Sequence, residues 1–325
     1  MVRRLFCGML AALAVLAPAA RAVDEMPGQW GELGKNYITA GRSHKLLFRV
    51  TSLEYRVAPV VIGNSTYAPK ADEKLLVVHF VLQNAEDTAY TVSWNALTMN
   101  AIEANEVTCK AGTSMGAEAD GKSVGVELKP AQKIEVYRVI RVGAAGPAKK
   151  LIVFRDQPPV VRYDLLEKCK PTPLPKELAD PADATGTTPA QPLIAKIGQK
   201  MPLGEVETTV DGWQQGQPTA DGKAPKAGNQ WVYVTATITN VSAKDQRLTH
   251  ALVRPMLLSG EDQFKSRYAL FAVDSDQVMT PPVLAPGASR TIRWALEVPA
   301  TLNQPTLQIE WQTTDRKAKI ALPTE

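Results

Sequence analysis

The sequence predicts an all-β chain built as two tandem β-sandwich domains. Three observations predict it: one internal offset that recurs along the chain, period-2 alternation in the repeated segments, and a proline-rich stretch between the copies. At 156 residues, Ala68-Pro69-Lys70-Ala71 falls on Ala224-Pro225-Lys226-Ala227, and Leu76 to Asn84 falls on Val232 to Asn240. Leu128-Lys129-Pro130 falls on Leu284-Ala285-Pro286, Val136 to Val142 on Ile292 to Val298, and Leu151-Ile152-Val153 on Leu307-Gln308-Ile309. One offset held across so many segments marks a duplicated unit, far longer than a solenoid repeat. The copies span residues 38–168 and 194–324.

The N-terminus comes first in chain order. Arg3 and Arg4 precede an apolar run from Leu5 to Leu16, and Ala20-Arg21-Ala22 supplies a small-x-small cleavage site. This is the pattern of a secretory signal peptide over residues 1–22. The run stops at Pro18 and Arg21, short of the roughly 20 apolar residues a membrane span needs. Cys7 lies too early to be a lipoprotein cysteine. Removal of Arg3, Arg4 and Arg21 takes the formal charge of the 325-residue chain from +4 to +1. A near-neutral mature chain offers no electrostatic footprint for nucleic acid. No second long apolar stretch follows, so the mature chain is expected to lack a membrane span and to be periplasmic or secreted.

Within each copy the strands alternate. Val232, Val234, Ala236 and Ile238 take one phase, and Tyr233, Thr235, Thr237 and Thr239 the other. The shared register puts Leu76, Val78, Phe80 and Leu82 on the core face of the first copy. Asn84 and Asn240 end these strands before polar turns. Further strands are expected around Leu46 to Tyr55, Glu205 to Val210, Ile134 to Val142, Leu151 to Arg155, Thr291 to Val298 and Thr306 to Gln312. No window shows a capped helical period, and short strands with frequent turns favour a sandwich of immunoglobulin type in each copy. Between the copies, Pro171 to Pro192 holds six prolines in 22 residues. Its composition predicts a semi-extended spacer.

These segments carry a resemblance. The run Trp231-Val232-Tyr233-Val234-Thr235-Ala236-Thr237-Ile238-Thr239-Asn240, followed by Leu284-Ala285-Pro286-Gly287 and Val298-Pro299, resembles small secreted bacterial immunoglobulin-like domains. That group includes the mycobacterial immunoprotective extracellular proteins and many domains of unknown function. The first copy departs from it at Lys129-Pro130-Ala131. The resemblance implies an extracytoplasmic, non-catalytic sandwich, and no particular activity.

Chemical motifs are few. Gly112-Thr113-Ser114-Met115-Gly116 satisfies G-x-S-x-G, yet no room for the following helix exists before Gly121, and the sole downstream histidine, His250, lies in the other copy. His44, His79 and His250 lack ligand spacing, and Asp274-Ser275-Asp276 lacks the rest of a calcium loop. No catalytic residue, metal ligand or cofactor is therefore expected.

The mature cysteines, Cys109 and Cys169, form an even pair in an oxidising compartment and so a candidate disulfide. Lys265 and Glu325 stand at the offset positions, so such a bond would fasten the first copy alone, contributing roughly 4 kcal/mol. Arg138 and Arg155 stand where the second copy has Trp294 and Trp311. They read either as rim arginines paired with carboxylates or as a specialised arginine surface. Trp231 and Tyr233 occupy the outward phase, with Trp213 in a nearby loop, and form a candidate ligand-contact set. Two functions follow as expectations. One is a non-catalytic extracytoplasmic protein acting on a protein or envelope component; the other is glycan binding through those three aromatics.

Overall fold

The computed structural model describes residues 29–40, 44–155, 161–267 and 269–323. The signal-peptide segment 1–22 lies outside the described residues. No helix occurs among those described. The first half contains β1 (Gln29–Trp30), β2 (Tyr37–Ala40), β3 (Lys45–Arg56), β4 (Val60–Ile62), β5 (Ser65–Tyr67), β6 (Glu73–Asn84) and β7 (Tyr90–Ser93). It continues with β8 (Thr98–Ile102), β9 (Thr108–Lys110), β10 (Gly116–Ala117), β11 (Gly125–Leu128), β12 (Lys133–Gly143), β13 (Lys150–Phe154) and β14 (Val161–Asp164). The second half contains β15 (Leu193–Ala195), β16 (Lys200–Pro202), β17 (Val206–Gln217), β18 (Asn229–Asn240), β19 (Gln246–Arg247) and β20 (Val253–Ser259). β21 (Asp262–Lys265), β22 (Val283–Leu284), β23 (Ser289–Pro299), β24 (Thr306–Trp311) and β25 (Arg316–Ala321) complete it.

Two immunoglobulin-like sandwiches result, and no sheet mixes strands from the two halves. In the first, β1-β14-β13-β8-β9 packs on β10-β12-β6-β3-β2; in the second, β15-β25-β24-β20-β21 packs on β16-β17-β18-β23. The expected inward phase fills the first core: Leu76, Val78, Phe80 and Leu82 meet Met99, Ala101, Leu151 and Val153 from the facing sheet. Val232, Val234, Ala236 and Ile238 do the same against Leu257, Leu307 and Ile309. Alternation works here because successive side chains leave a strand on opposite faces.

The pairing register refines the repeat. Val50 and Val210 both precede a bulge, pairing with Phe80 and Ala236 respectively. This strand therefore repeats at 160 residues, whereas β6 and β18 repeat at 156. The four extra residues of the first half fall between Leu53 and Ala68, where the β4–β5 hairpin is inserted.

The buried asparagines explain the strand-ending signature. Asn84 Nδ2 donates to the Thr88 and Leu128 carbonyls, while its Oδ1 accepts from Glu86 N–H. Asn240 Nδ2 donates to Lys244 and Leu284, and its Oδ1 accepts from the Ser242 N–H and hydroxyl. Each asparagine closes its turn and ties it to the strand that precedes the Pro-containing segment.

The proline-rich segment is not a free spacer. Thr172 exchanges backbone hydrogen bonds with Leu53 and Tyr55, and Leu174 is buried in the first core. Ala190 belongs to the second core, and Leu178 packs on both. Asp183 accepts from the Thr185 hydroxyl and from the N–H groups of Thr185, Thr187 and Thr188, and these bonds, that of the hydroxyl foremost, hold its carboxyl well below the usual range. Composition alone misses this because the segment needs few apolar anchors once a carboxylate satisfies its backbone donors.

The two sandwiches also meet directly. Arg316, 1% exposed, donates from Nη2 to the carbonyls of Lys70 and Glu73. Ala71 N–H donates to Thr314 O at 3.1 Å, and Ala243 N–H to the Thr66 hydroxyl at 3.0 Å. The repeated Ala68-Pro69-Lys70-Ala71 segment is thus the docking edge of the first domain.

Candidate functional site

The expected aromatic platform is overturned by burial. Trp231 and Tyr233 are 5% and 2% exposed and form a satellite core with Ala220, Phe271 and Ala295. Trp231 Nε1 donates to Lys223 O, and Tyr233 OH to Thr219 O, both at 2.9 Å. The Arg293 guanidinium lies 4.4 Å from the Tyr233 ring centroid. Asp276 Oδ2 accepts from the Thr219 hydroxyl and Gly222 N–H, which gives the Asp274–Asp276 loop a structural role in holding this cover down. Trp213 is in β17, opposite Val234, and packs against the second core, so it is not in a loop. The cover comes from outside the strand, from the loop around Ala220 and Lys223 and from Phe271, which is why strand phase alone misassigned these rings. A signal existed: the offset partners of Trp231 and Tyr233 are Leu75 and Val77, which are buried under the β4–β5 hairpin.

The candidate disulfide is likewise absent: Cys109 and Cys169 are both free. Cys109 is on edge strand β9, while Cys169 follows β14, and β8 and β13 lie between those two strands. Three strand spacings amount to about 14 Å, twice the Cα separation that a disulfide tolerates. Cys109 Sγ instead donates to Glu103 Oε1 at 3.1 Å, and burial together with that carboxylate pushes its thiol up to about 12.

Ser114 meets the Ser65 hydroxyl at 3.4 Å rather than an imidazole. The flanking glycines have a packing role: a Cβ on Gly112 would collide with the Tyr67 ring, and one on Gly116 with the Tyr137 ring. Among the described residues, no cluster of His, Cys, Asp and Glu is arranged to hold a metal ion.

What the fold does present is a pair of pockets in equivalent places. The first, about 190 Å³, opens where β8 and β9 meet β12, and is lined by Trp94, Asn100, Lys110 and Arg138 among others. The second, about 510 Å³, lies on β20, β21 and β24, with His250, Arg254, Met256, Lys265, Gln308 and Glu310 in its lining. At the 156-residue offset, Trp94, Asn95, Thr98, Met99, Asn100 and Lys110 fall on His250, Ala251, Arg254, Pro255, Met256 and Ser266, all lining the second pocket. Position is therefore duplicated, while the side chains differ.

In the second pocket Arg254 Nε donates to Ala251 O at 3.1 Å, and Glu310 faces Lys317 at 3.7 Å. In the first pocket Arg138 is the unusual group. It is 4% exposed, donating from Nη1 to Leu97 O at 2.6 Å and from Nη2 to Gly112 O at 2.5 Å. Its Nε has no partner, and neither has the buried Asn100 Oδ1. Burial lowers the guanidinium to about 10, so it remains charged at neutral pH. The rim-arginine expectation is thus corrected: Arg138 is buried, its bonds go to carbonyls, and no carboxylate neutralises it. Arg155 bonds the His44 carbonyl and the Tyr90 hydroxyl, away from this pocket. Trp94, on the rim, is 47% exposed. Sequence reading missed it because it follows β7 in a turn, where no alternation marks direction.

No family model matches the chain, and no curated protein matches it. Several solved structures are similar, among them the following two. An uncharacterized β-sandwich protein of Clostridium difficile is 12% identical, with a TM-score of 0.32, over 40% of this chain and 93% of its own. The secreted protein MPT63 of Mycobacterium tuberculosis is 15% identical, with a TM-score of 0.32, over 43% of this chain and 99% of its own.

Proposed function

We propose that the chain is a non-catalytic extracytoplasmic binding protein that engages a protein or envelope component through its two equivalent pockets. The observation that carries this reading is the duplicated pocket position with divergent lining. A packing fault would not recur at the same place in two sandwiches whose side chains there have changed, whereas a binding position would. The Arg3 to Ala22 leader supports export, and no helix among the described residues is long and apolar enough to cross a membrane. The glycan alternative on Trp213, Trp231 and Tyr233 is set aside, since two of the three rings are covered and the third packs inward.

The test immobilises the mature chain and passes the envelope fraction of its own source over it. An envelope component is retained by the native chain and lost from a Trp94→Ala, Arg254→Ala double variant, whose changes fall on exposed positions. Retention of nothing above bare resin, or equal retention by the variant, overturns the reading.

A further inference from the structure

The strand registers bring one cross-strand row to the same place in both sandwiches. In the first, Lys110, Asn100, Ile152, Arg162 and Trp30 stand side by side across β9, β8, β13, β14 and β1. In the second, Lys265, Met256, Gln308, Lys319 and Ile194 do so across β21, β20, β24, β25 and β15. Asn100 and Ile152 fall on Met256 and Gln308 at the 156-residue offset. Pairing then equates Lys110 with Lys265, Arg162 with Lys319, and Trp30 with Ile194. These side chains leave the outer face: their strand neighbours fill the cores, and Trp30 shares the phase of Arg162 beside it. The middle positions change character between the copies. What recurs is a cation, a second cation three strand spacings or about 14 Å away, and a bulky apolar residue at the edge. Trp30 is 52% and Ile194 69% exposed. Single exposed apolar residues are ordinary, but one register position exposed in two divergent copies calls for a common use.

Charge is concentrated on the same two faces. Their outward strand positions hold Lys110, Lys150 and Arg162 in the first sandwich, and Arg254, Lys265, Lys317 and Lys319 in the second. Against these stand two carboxylates, both engaged: Asp164 accepts from the Leu166 and Glu167 N–H groups, and Glu310 faces Lys317. None of the four row cations forms an ion pair among the described residues. In a nearly neutral mature chain, this segregation fits an anionic partner.

Resting on the binding-protein reading above, we propose that each of these outer faces docks on the surface of an anionic phospholipid bilayer. The row cations meet lipid phosphates, and Trp30 or Ile194 enters the headgroup boundary beside them. What recurs selects this partner over a protein. A folded partner reads shape, and packs well only against a fixed set of side chains. A fluid surface reads charge and apolarity, the two properties the rows keep while four of their five residues change. An acidic glycan fits less well, because Ile194 offers no aromatic ring for a sugar to stack on. The attachment is peripheral and reversible. Each cation strengthens it about fivefold, and each apolar side chain taken from water adds about tenfold or more.

The experiment sediments the mature chain with sucrose-loaded vesicles of phosphatidylcholine alone, or of phosphatidylcholine and phosphatidylglycerol in equal parts. Expected is partition onto the anionic vesicles, none onto phosphatidylcholine, and at least about tenfold weakening at about 1 M salt, where screening shortens the electrostatic range to about 3 Å. Brominated acyl chains should quench part of the tryptophan fluorescence, and Trp30→Phe should reduce that quenching. Changing Lys110, Arg162, Lys265 and Lys319 together to Gln should lower partition at least about twenty-fivefold, the worth of one row's two cations. The same change at Lys45, Lys133, Lys223 and Lys244, exposed on other surfaces, should cost less than about fivefold. The salt and brominated-lipid measurements on the native chain keep the proposal testable if a fourfold variant fails to fold. No partition onto anionic vesicles, equal partition onto both compositions, equal losses in the two fourfold variants, or quenching unchanged by Trp30→Phe would overturn it. If a detergent-solubilised envelope protein is retained by the chain while vesicles are not, the lipid assignment falls and the binding-protein reading stands. If nothing is retained, both fall.

Discussion

Replacing Asn240 by Ala tests whether the strand-ending asparagine holds the second sandwich together. The substitution removes two donated hydrogen bonds, to Lys244 O at 2.7 Å and Leu284 O at 2.8 Å. It also removes the acceptor for Ser242 N–H at 2.9 Å and for the Ser242 hydroxyl at 2.7 Å. A net hydrogen bond is worth about 1 kcal/mol, and a buried group left unpaired costs a further 1–3 kcal/mol. The Leu284 carbonyl contact is buried, while the Lys244 one has partial access to water. Two or three effective bonds, with partial rescue by water, amount to about 3 kcal/mol. For a domain of this size that is about 9 °C in Tm. Guanidinium unfolding of the mature chain, followed by Trp294 and Trp311 fluorescence, measures it. Asn240→Asp keeps the acceptor but loses both donated bonds and sets a carboxylate against Leu284 O, so it should destabilise at least as much. A loss below about 0.5 kcal/mol for Asn240→Ala would refute the account, and would make the asparagine a turn preference rather than a tie.

Three further outcomes are expected. His79 lies between two carboxylates, with Glu54 at 3.6 Å and Glu118 at 2.5 Å, and they hold its imidazole above the usual range. Its ion pairs therefore contribute fully below the unfolded value near 6.5, and that contribution is lost as pH rises through the higher folded value. An NMR titration should place His79 above 6.5, and His79→Gln should reduce the fall in Tm across that window; a midpoint at or below 6.5 contradicts this. The two thiols should resist alkylation at pH 7.5 in the native chain and both react after unfolding, with no mass change on reduction; a two-hydrogen mass gain would reveal the bond. Trp231→Ala should cost about 3–5 kcal/mol of second-domain stability, as for other buried aromatic truncations, measured by guanidinium unfolding. A variant as stable as the native chain would return the ring to the surface.

Strand phase was legible wherever a segment faced the core between the sheets. Leu76 to Leu82 and Val232 to Ile238 were readable because one face of each strand is apolar by itself and the copies agree. The outer face was not readable from the strand alone. Whether Trp231 meets water depends on the loop around Ala220 just before the strand and on Phe271 well after it, both outside the strand and almost without periodicity. The cysteine pair failed for a similar reason, since sequence gives the count of thiols but not the two strands, β13 and β8, that separate them. Arg138 was visible as an oddity against Trp294. Its significance lay in a burial that only the packing of β12 against the Leu97 and Gly112 backbone supplies. Trp94 and Asn100 had no local signal, and comparison of the two pockets residue by residue is what picks them out.

The Arg316 seam has a consequence for reach. Because Arg316 is clasped by the Lys70 and Glu73 carbonyls, and the proline-rich strap is pinned to both cores, the two sandwiches do not swing freely. Under the binding reading proposed above, the pair would act as a ruler. A polymer whose recognition groups recur at the matching interval gains a second, intramolecular attachment at millimolar effective concentration, raising avidity by about 10²–10⁴ over either half. A polymer of any other period gains nothing. If both pockets bind, rigid spacing would let two unlike grips discriminate by repeat length, a selectivity that neither sandwich has alone.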